Sequence, residues 1–173
     1  MISATMTDRI NLQINREMYS AYLYLAMSSV MTDEGYEGAA KWLMVQYHEE
    51  MFHAMKFYKY LQDQGSTPVL AQIDVPKVES KEMKKLFVQV LEHEKFVTAS
   101  IREIMALAIS EKDYATMGLA QWYIDEQVEE EKNASDILKT YDLIGGSAHG
   151  AFMLNIELGK RDLSVPSDFT KMS

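Results

Sequence analysis

The 173-residue sequence predicts an all-α fold: a four-helix bundle with one long crossover between its second and third helices and a short fifth helix towards the C-terminus. Three observations predict it. Four segments carry apolar residues at alternating steps of three and four. One stretch, residues 66–80, carries no such pattern, and the sparse glycine and only 3 prolines argue against a turn-dense β fold. The length suits a single domain over residues 1–173, with helices at about 7–33, 37–64, 81–109, 113–142 and 148–159.

Each element follows from its own stripe. Ile10, Ile14, Glu17, Ala21, Tyr24 and Ser28 share one face of the first helix, which Gly35 and Gly38 interrupt. Leu43, Tyr47, Glu50, Ala54, Phe57 and Leu61 form the second stripe, ending at Gly65, and so short a connection makes the two helices antiparallel. The 15 unpatterned residues that follow, with Pro68 and Pro76, are long for a loop in a compact domain. Extended, they reach about 50 Å. A helix of about 28 residues is roughly 42 Å long, so the segment can run the length of the bundle and make the third helix parallel to the second. Ser80 with Glu82 marks the third start, and Phe87, Val90, Glu94, Val97, Ile101, Ile104 and Ala108 repeat after it. Leu119, Tyr123, Gln127, Glu130, Ala134, Ile137 and Tyr141 give the fourth helix, stopped by Gly145-Gly146. A shorter apolar segment, residues 151–158, gives the fifth, before a polar tail ending in Lys171-Met172-Ser173.

Composition narrows the function classes. The absence of cysteine excludes disulfides, thiolate zinc sites and cysteine nucleophiles, leaving carboxylate, imidazole and amide groups for any metal chemistry. A formal charge of -9 without a basic stripe argues against nucleic acid as a partner. With no run of eighteen apolar residues and no secretory signal pattern, no membrane partner is expected, and the location is expected to be cytoplasmic.

Each stripe is broken near its middle by a polar group where packing calls for Leu or Ile. Glu17, Glu50 and Glu94 break the first three, and Gln127 with Glu130 break the fourth. An ionised carboxylate buried without a partner costs several kcal/mol. A single such Glu is ordinarily a rim residue reaching water. The third helix weakens that reading, because moving Glu94 to the rim misaligns its six apolar companions. No Lys or Arg stands at these central positions, so the missing counter-charge points to bound metal. His53, three residues after Glu50, adds an imidazole on the same side of its helix. Carboxylates plus one imidazole suit Fe(II), with manganese an alternative and zinc an inhibitor-type occupant. Two divalent ions balance four carboxylates.

Tyr24 lies seven residues after Glu17 on the same face, either as a core tyrosine or as a redox participant, and Trp122 adjoins the fourth stripe. A second acidic group comprises Glu49 with Glu126, Glu129, Glu130 and Glu131. Such a run is usually a solvated surface, but Glu49 and Glu126 each immediately precede a candidate site residue, so a third cation site beside the first two is the competing reading. His48, His93 and His149 are read as surface or packing residues.

The runs Asn15-Arg16-Glu17-Met18-Tyr19-Ser20-Ala21-Tyr22-Leu23-Tyr24, Glu49-Glu50-Met51-Phe52-His53 and Gln121-Trp122-Tyr123-Ile124-Asp125-Glu126-Gln127-Val128-Glu129-Glu130-Glu131 resemble prokaryotic non-haem ferritins, and the likeness extends over nearly the whole chain. The resemblance implies a ferritin-like bundle in which Glu17, Glu50 and His53 hold a first iron, Glu50 bridges, and Glu94 with Glu130 hold the second. It makes Gln127 a nearby hydrogen-bonding group and assigns Glu49, Glu126, Glu129 and Glu130 to a third iron site, with Tyr24 and Trp122 as the aromatic residues near the centre. It further implies a homo-oligomeric shell of 24 subunits, ferroxidase activity on Fe(II) with O2 or H2O2, and ferric mineral inside. Bacterioferritins and rubrerythrin-like proteins carry a second Glu-x-x-His on the fourth helix, where this chain has Gln127-Val128-Glu129-Glu130. No haem is therefore expected, although Met51 stands where bacterioferritins place their haem-ligating methionine.

Overall fold

Capping chemistry sets where the helices begin. The computed structural model describes residues 2–171, so Met172 and Ser173 at the end of the expected polar tail lie outside the described residues. Ser3 accepts a hydrogen bond from the Met6 amide at 3.0 Å and starts α1 (Ala4–Asp33) three residues ahead of the expected position, because a serine cap relieves an orphan amide. The second helix, α2, spans Glu37–Asp63, and α3 spans Met83–Glu111. Ser80 does not cap α3. Its hydroxyl accepts from the Glu82 amide at 3.1 Å, turning the chain just before the helix begins. Asp113 caps α4 (Tyr114–Leu143) by accepting from Thr116, and Ser147 caps α5 (Ala148–Leu158) by accepting from Gly150. A short 3-10 turn, Phe169–Lys171, follows, and the described residues contain no strand.

The pairing is that of a four-helix bundle. Ser28 donates to the Ala40 carbonyl across α1 and α2, and Gln127 donates to the Glu94 carbonyl across α4 and α3. Both hairpins are antiparallel. Residues 64–82 carry the chain between the hairpins along the outside of α1 and on to α3. There the Asn11 side chain accepts from the Val69 amide, Asn15 donates to the Gln72 carbonyl, and Gln89 brackets Lys77 and Glu79. These side chains satisfy an exposed backbone that has no regular partner. The fold class is thus the expected one, all-α with a long crossover and a short fifth helix. Among the described residues no helix is long and apolar enough to cross a membrane.

The apolar core is cut in two. One cluster packs Leu23, Tyr24, Met27, Leu43, Phe87, Val90 and Ala134 against α5, and the other packs Met6, Ile10, Ile14, Phe57, Val97, Ile101 and Tyr123. On every helix of the bundle the switch from one cluster to the other falls at a polar buried residue: Glu17, Glu50, Glu94 and Gln127 with Glu130. Glu17, Glu50, His53, Glu94, Gln127 and Glu130 therefore lie in one layer.

The fourth stripe needs correction. Its buried face runs Thr116, Ala120, Tyr123, Gln127, Glu130 and Ala134, whereas Leu119, Ile137 and Tyr141 are only half-buried. Thr116 is drawn inward by the Tyr60 hydroxyl at 2.7 Å, which rotates the start of α4 by one position. Tyr47, also expected in the core, is half-buried beside it.

Gly38 explains how α5 docks. A Cβ there would lie 1.7 Å from the Asn155 carbonyl oxygen, and Asn155 Oδ1 also accepts from the Ala39 amide at 3.0 Å. Gly38→Ala is therefore expected to push α5 away and lower the melting temperature by several degrees, since overpacking of this kind costs about 1–3 kcal/mol. An unchanged melting temperature in a calorimetric scan is the contrary result.

Candidate metal centre

The polar layer begins with α1 and α2, which bring Glu17, Glu50 and His53 together in the protein interior. One ligand atom from each lies within 4.8 Å of the other two, and His53 Nδ1 stands 3.5 Å from Glu50 Oε2. All three are at most 2% exposed, which leaves no water-facing route for their charge. Glu17 Oε1 accepts from Gln13 at 2.8 Å, but Glu17 Oε2 and both oxygens of Glu50 are buried with no amide or hydroxyl donor, and the two carboxyl groups face each other. Three orphaned carboxylate oxygens are an expensive arrangement unless a cation joins them. No Lys or Arg does so among the described residues, where the nearest pairing is His53 itself.

Glu94 and Glu130 complete the layer from α3 and α4, but each is engaged by a neighbour. The Tyr24 hydroxyl donates to Glu94 Oε1, and Gln127 donates to Glu94 Oε2 at 3.1 Å. Gln46 donates to Glu130 Oε2 at 2.9 Å. Tyr24 and Gln127 are thus both hydrogen-bonding partners of a candidate ligand.

Crowding of like charges shows in the protonation equilibria. Burial, and then the charges of Glu94, Glu17 and Glu130, hold Glu50 well above the usual carboxylate range. Burial raises Glu17 even though His53 and Gln13 pull the other way. Burial pushes Glu94 up to about 7 against the Tyr24 and Gln127 hydrogen bonds, and burial together with the Glu94 charge pushes Glu130 up to about 8. Burial thus favours the neutral over the charged form of all four acids.

The second acidic group opens beside this layer. Glu49, Glu126, Glu129 and Glu130 line a cavity of about 320 Å³ together with His53 and Trp122. Glu49 is buried and Glu129 exposed, so the four carboxylates grade from interior to solvent. Glu131 points elsewhere, accepting from Thr98 at 2.6 Å. Trp122 meets the His53 ring edge to face, with centroids 5.7 Å apart.

A family model described as a ferritin-like domain matches residues 7–144. The chain belongs to the ferritin family. A probable bacterial non-heme ferritin-like protein of Haemophilus influenzae is 40% identical over 159 residues, covering 92% of this chain and 96% of the relative. A bacterial non-heme ferritin of Escherichia coli is 35% identical over 162 residues, covering 94% and 98%. Among solved structures, a novel open pore ferritin from the archaeon Archaeoglobus fulgidus superposes with a TM-score of 0.91 at 41% identity, covering 93% of this chain and 98% of that one. The resemblance to prokaryotic non-haem ferritins is borne out.

Several residues of this ferritin's centre escaped the sequence reading. Gln13 and Gln46 stand four residues before Glu17 and Glu50, and that repeated spacing was the available signal. Gln13 is itself held, since Ser100 donates to its carbonyl and Arg16 donates to Ser100, so a hydrogen-bonded chain leads from Glu17 outward. Tyr123, a member of the fourth stripe, does more than face inward: its hydroxyl donates to the His53 carbonyl at 2.6 Å and fixes that turn of α2. His93 is a packing residue as expected, its ring edge-on to Tyr24 and sharing a hydrogen bond with Ser20, and burial lowers its pKa to about 4. His149 is exposed.

Proposed function

We propose that this ferritin oxidises Fe(II) at a di-iron centre formed by Glu17, Glu50, His53, Glu94 and Glu130, and stores the ferric product inside a homo-oligomeric shell. The single observation that carries the reading is the set of three buried, unpartnered carboxylate oxygens on Glu17 and Glu50 beside His53. Four carboxylates and one imidazole fit two hard divalent cations in charge and in donor type.

Iron is the substrate. Glu17, Glu50 and His53 receive one Fe(II), Glu94 and Glu130 the other, and Glu50, neither of whose oxygens accepts from an amide or hydroxyl, bridges them. Each Fe(II) gives one electron, so dioxygen leaves with two electrons as peroxide, or peroxide is reduced to water, and no superoxide is released. The protein supplies position: Gln13 orients Glu17, Tyr24 and Gln127 orient Glu94, and Gln46 orients Glu130. Hydrolysis of the ferric ions releases protons, and the product passes to the mineral. Glu49, Glu126 and Glu129, with Glu130, take a third cation in the neighbouring cavity. The partners are Fe(II) and O2 or H2O2, the assembly is a 24-subunit shell, and the location is the cytoplasm.

Anaerobic Fe(II) loading followed by air tests this reading. Hundreds of irons oxidised and retained per assembly are expected. Two oxidised per subunit without mineral would indicate an oxygenase or peroxidase with an organic substrate, and no colour change would leave a structural bundle.

A further inference from the structure

Beyond α5 the chain turns back across the mouth of the outer acidic cavity. Three contacts seat it. The Arg161 guanidinium donates to Glu49 Oε2 at 2.5 Å and stacks on Trp42, its central carbon 4.5 Å from the ring centroid, and Ser164 donates to Glu49 Oε1 at 3.3 Å. Ser164, Val165 and Pro166 then line the cavity together with Glu126 and Glu129. The remaining amine, Arg161 Nη1, is buried without an acceptor, so the guanidinium sits there with its hydrogen bonding incomplete.

We infer that residues 159–166 form a strap over the outer cavity, and that Arg161 is a resident counter-ion on Glu49 which a divalent cation must displace to occupy the third site. The inference rests on the proposed three-cation reading and adds the element that sets the affinity of its outer member. Both Glu49 oxygens are engaged by the strap, one by Arg161 and one by Ser164. A guanidinium and a divalent ion on the same carboxylate also repel each other in a partly buried site. The apparent affinity of the outer site is therefore its intrinsic affinity reduced by the fraction of chains whose strap is lifted.

Redox-inert Zn(II) tests this in the metal-free assembled protein, with affinities measured on the chain carrying both tryptophans and Trp122→Phe used for the emission readout alone, where it leaves Trp42 as the sole tryptophan of the 2 in the chain. Binding is followed by calorimetry and by Trp42 emission. The first two equivalents per subunit should leave the emission unchanged, and the third should shift it as the guanidinium leaves the indole. Adding Arg161→Gln should tighten the third equivalent at least about tenfold and abolish the emission step. Arg161→Lys, which keeps the charge, should return the affinity to within about threefold of the parent. A third equivalent of unchanged affinity in Arg161→Gln, no third equivalent in either protein, or an emission step absent from the parent overturns the strap. Failure of the first two equivalents with the third and its emission step retained would sink the inner pair and leave the strap standing.

Discussion

Replacing Glu50 by Ala is expected to slow the fast phase of Fe(II) oxidation by at least about 100-fold while leaving a folded, assembled protein, since loss of an outer support alone costs about 10- to 100-fold at metal centres. Glu50 is the carboxylate of the layer that accepts from no amide or hydroxyl, and what it meets instead, the His53 ring at 3.5 Å and the Glu17 carboxyl, are themselves candidate ligands. It is also the group most opposed by its neighbours, with Glu94, Glu17 and Glu130 all raising its pKa after burial itself. Its removal relieves the metal-free protein. The melting temperature of metal-free Glu50→Ala should therefore equal or exceed that of the parent at neutral pH, despite the cavity created. Stopped-flow absorbance after mixing with aerated Fe(II), paired with calorimetry, reads both effects. Retained fast oxidation would remove Glu50 from the centre, and a collapse of stability would make its role structural.

The second large effect is a reversal of pH dependence on metal binding. Glu94 and Glu130 titrate in the folded protein at about 7 and about 8, above their ordinary value of 4.5, and Glu17 and Glu50 are shifted in the same direction. A carboxyl raised by folding contributes stability that is fully present below its unfolded pKa and is lost as pH climbs through the folded one. The metal-free protein should accordingly lose melting temperature between pH 5 and pH 8. Divalent ions replace those protons, so added Zn(II) should stabilise little at pH 5 and most at pH 8. At a thousandfold excess over the dissociation constant the gain is about 4 kcal/mol, or roughly 8–16 °C for a chain of this size. Glu130→Gln should flatten the metal-free slope. A metal-free melting temperature that rises over that interval contradicts the protonation pattern.

Much of the centre was legible because a helix enforces a local rule. Glu94 among six apolar companions can only face inward, and all seven positions of that stripe are buried. The same rule blurs where a helix is partly exposed. In α4, Leu119 and Ala120 lie equally well before Tyr123, and the Tyr60–Thr116 hydrogen bond, a contact between distant segments, decides for Ala120. Gln13 and Gln46 were legible in principle from their spacing, whereas no local signal connects Gln46 on α2 with Glu130 on α4.

By itself the sequence determined the helical bundle, its crossover and the depth of each carboxylate, because periodicity and the 15-residue gap are properties of the chain read locally. Tertiary structure alone decided which oxygens remain unpartnered, which are held by Tyr24, Gln127 and Gln46, and that Arg161 folds back 112 positions to reach Glu49. Spacing fixes the face a side chain occupies on its own helix, whereas the register between helices fixes what it meets. That register is set by the packing of two apolar clusters on either side of the acids.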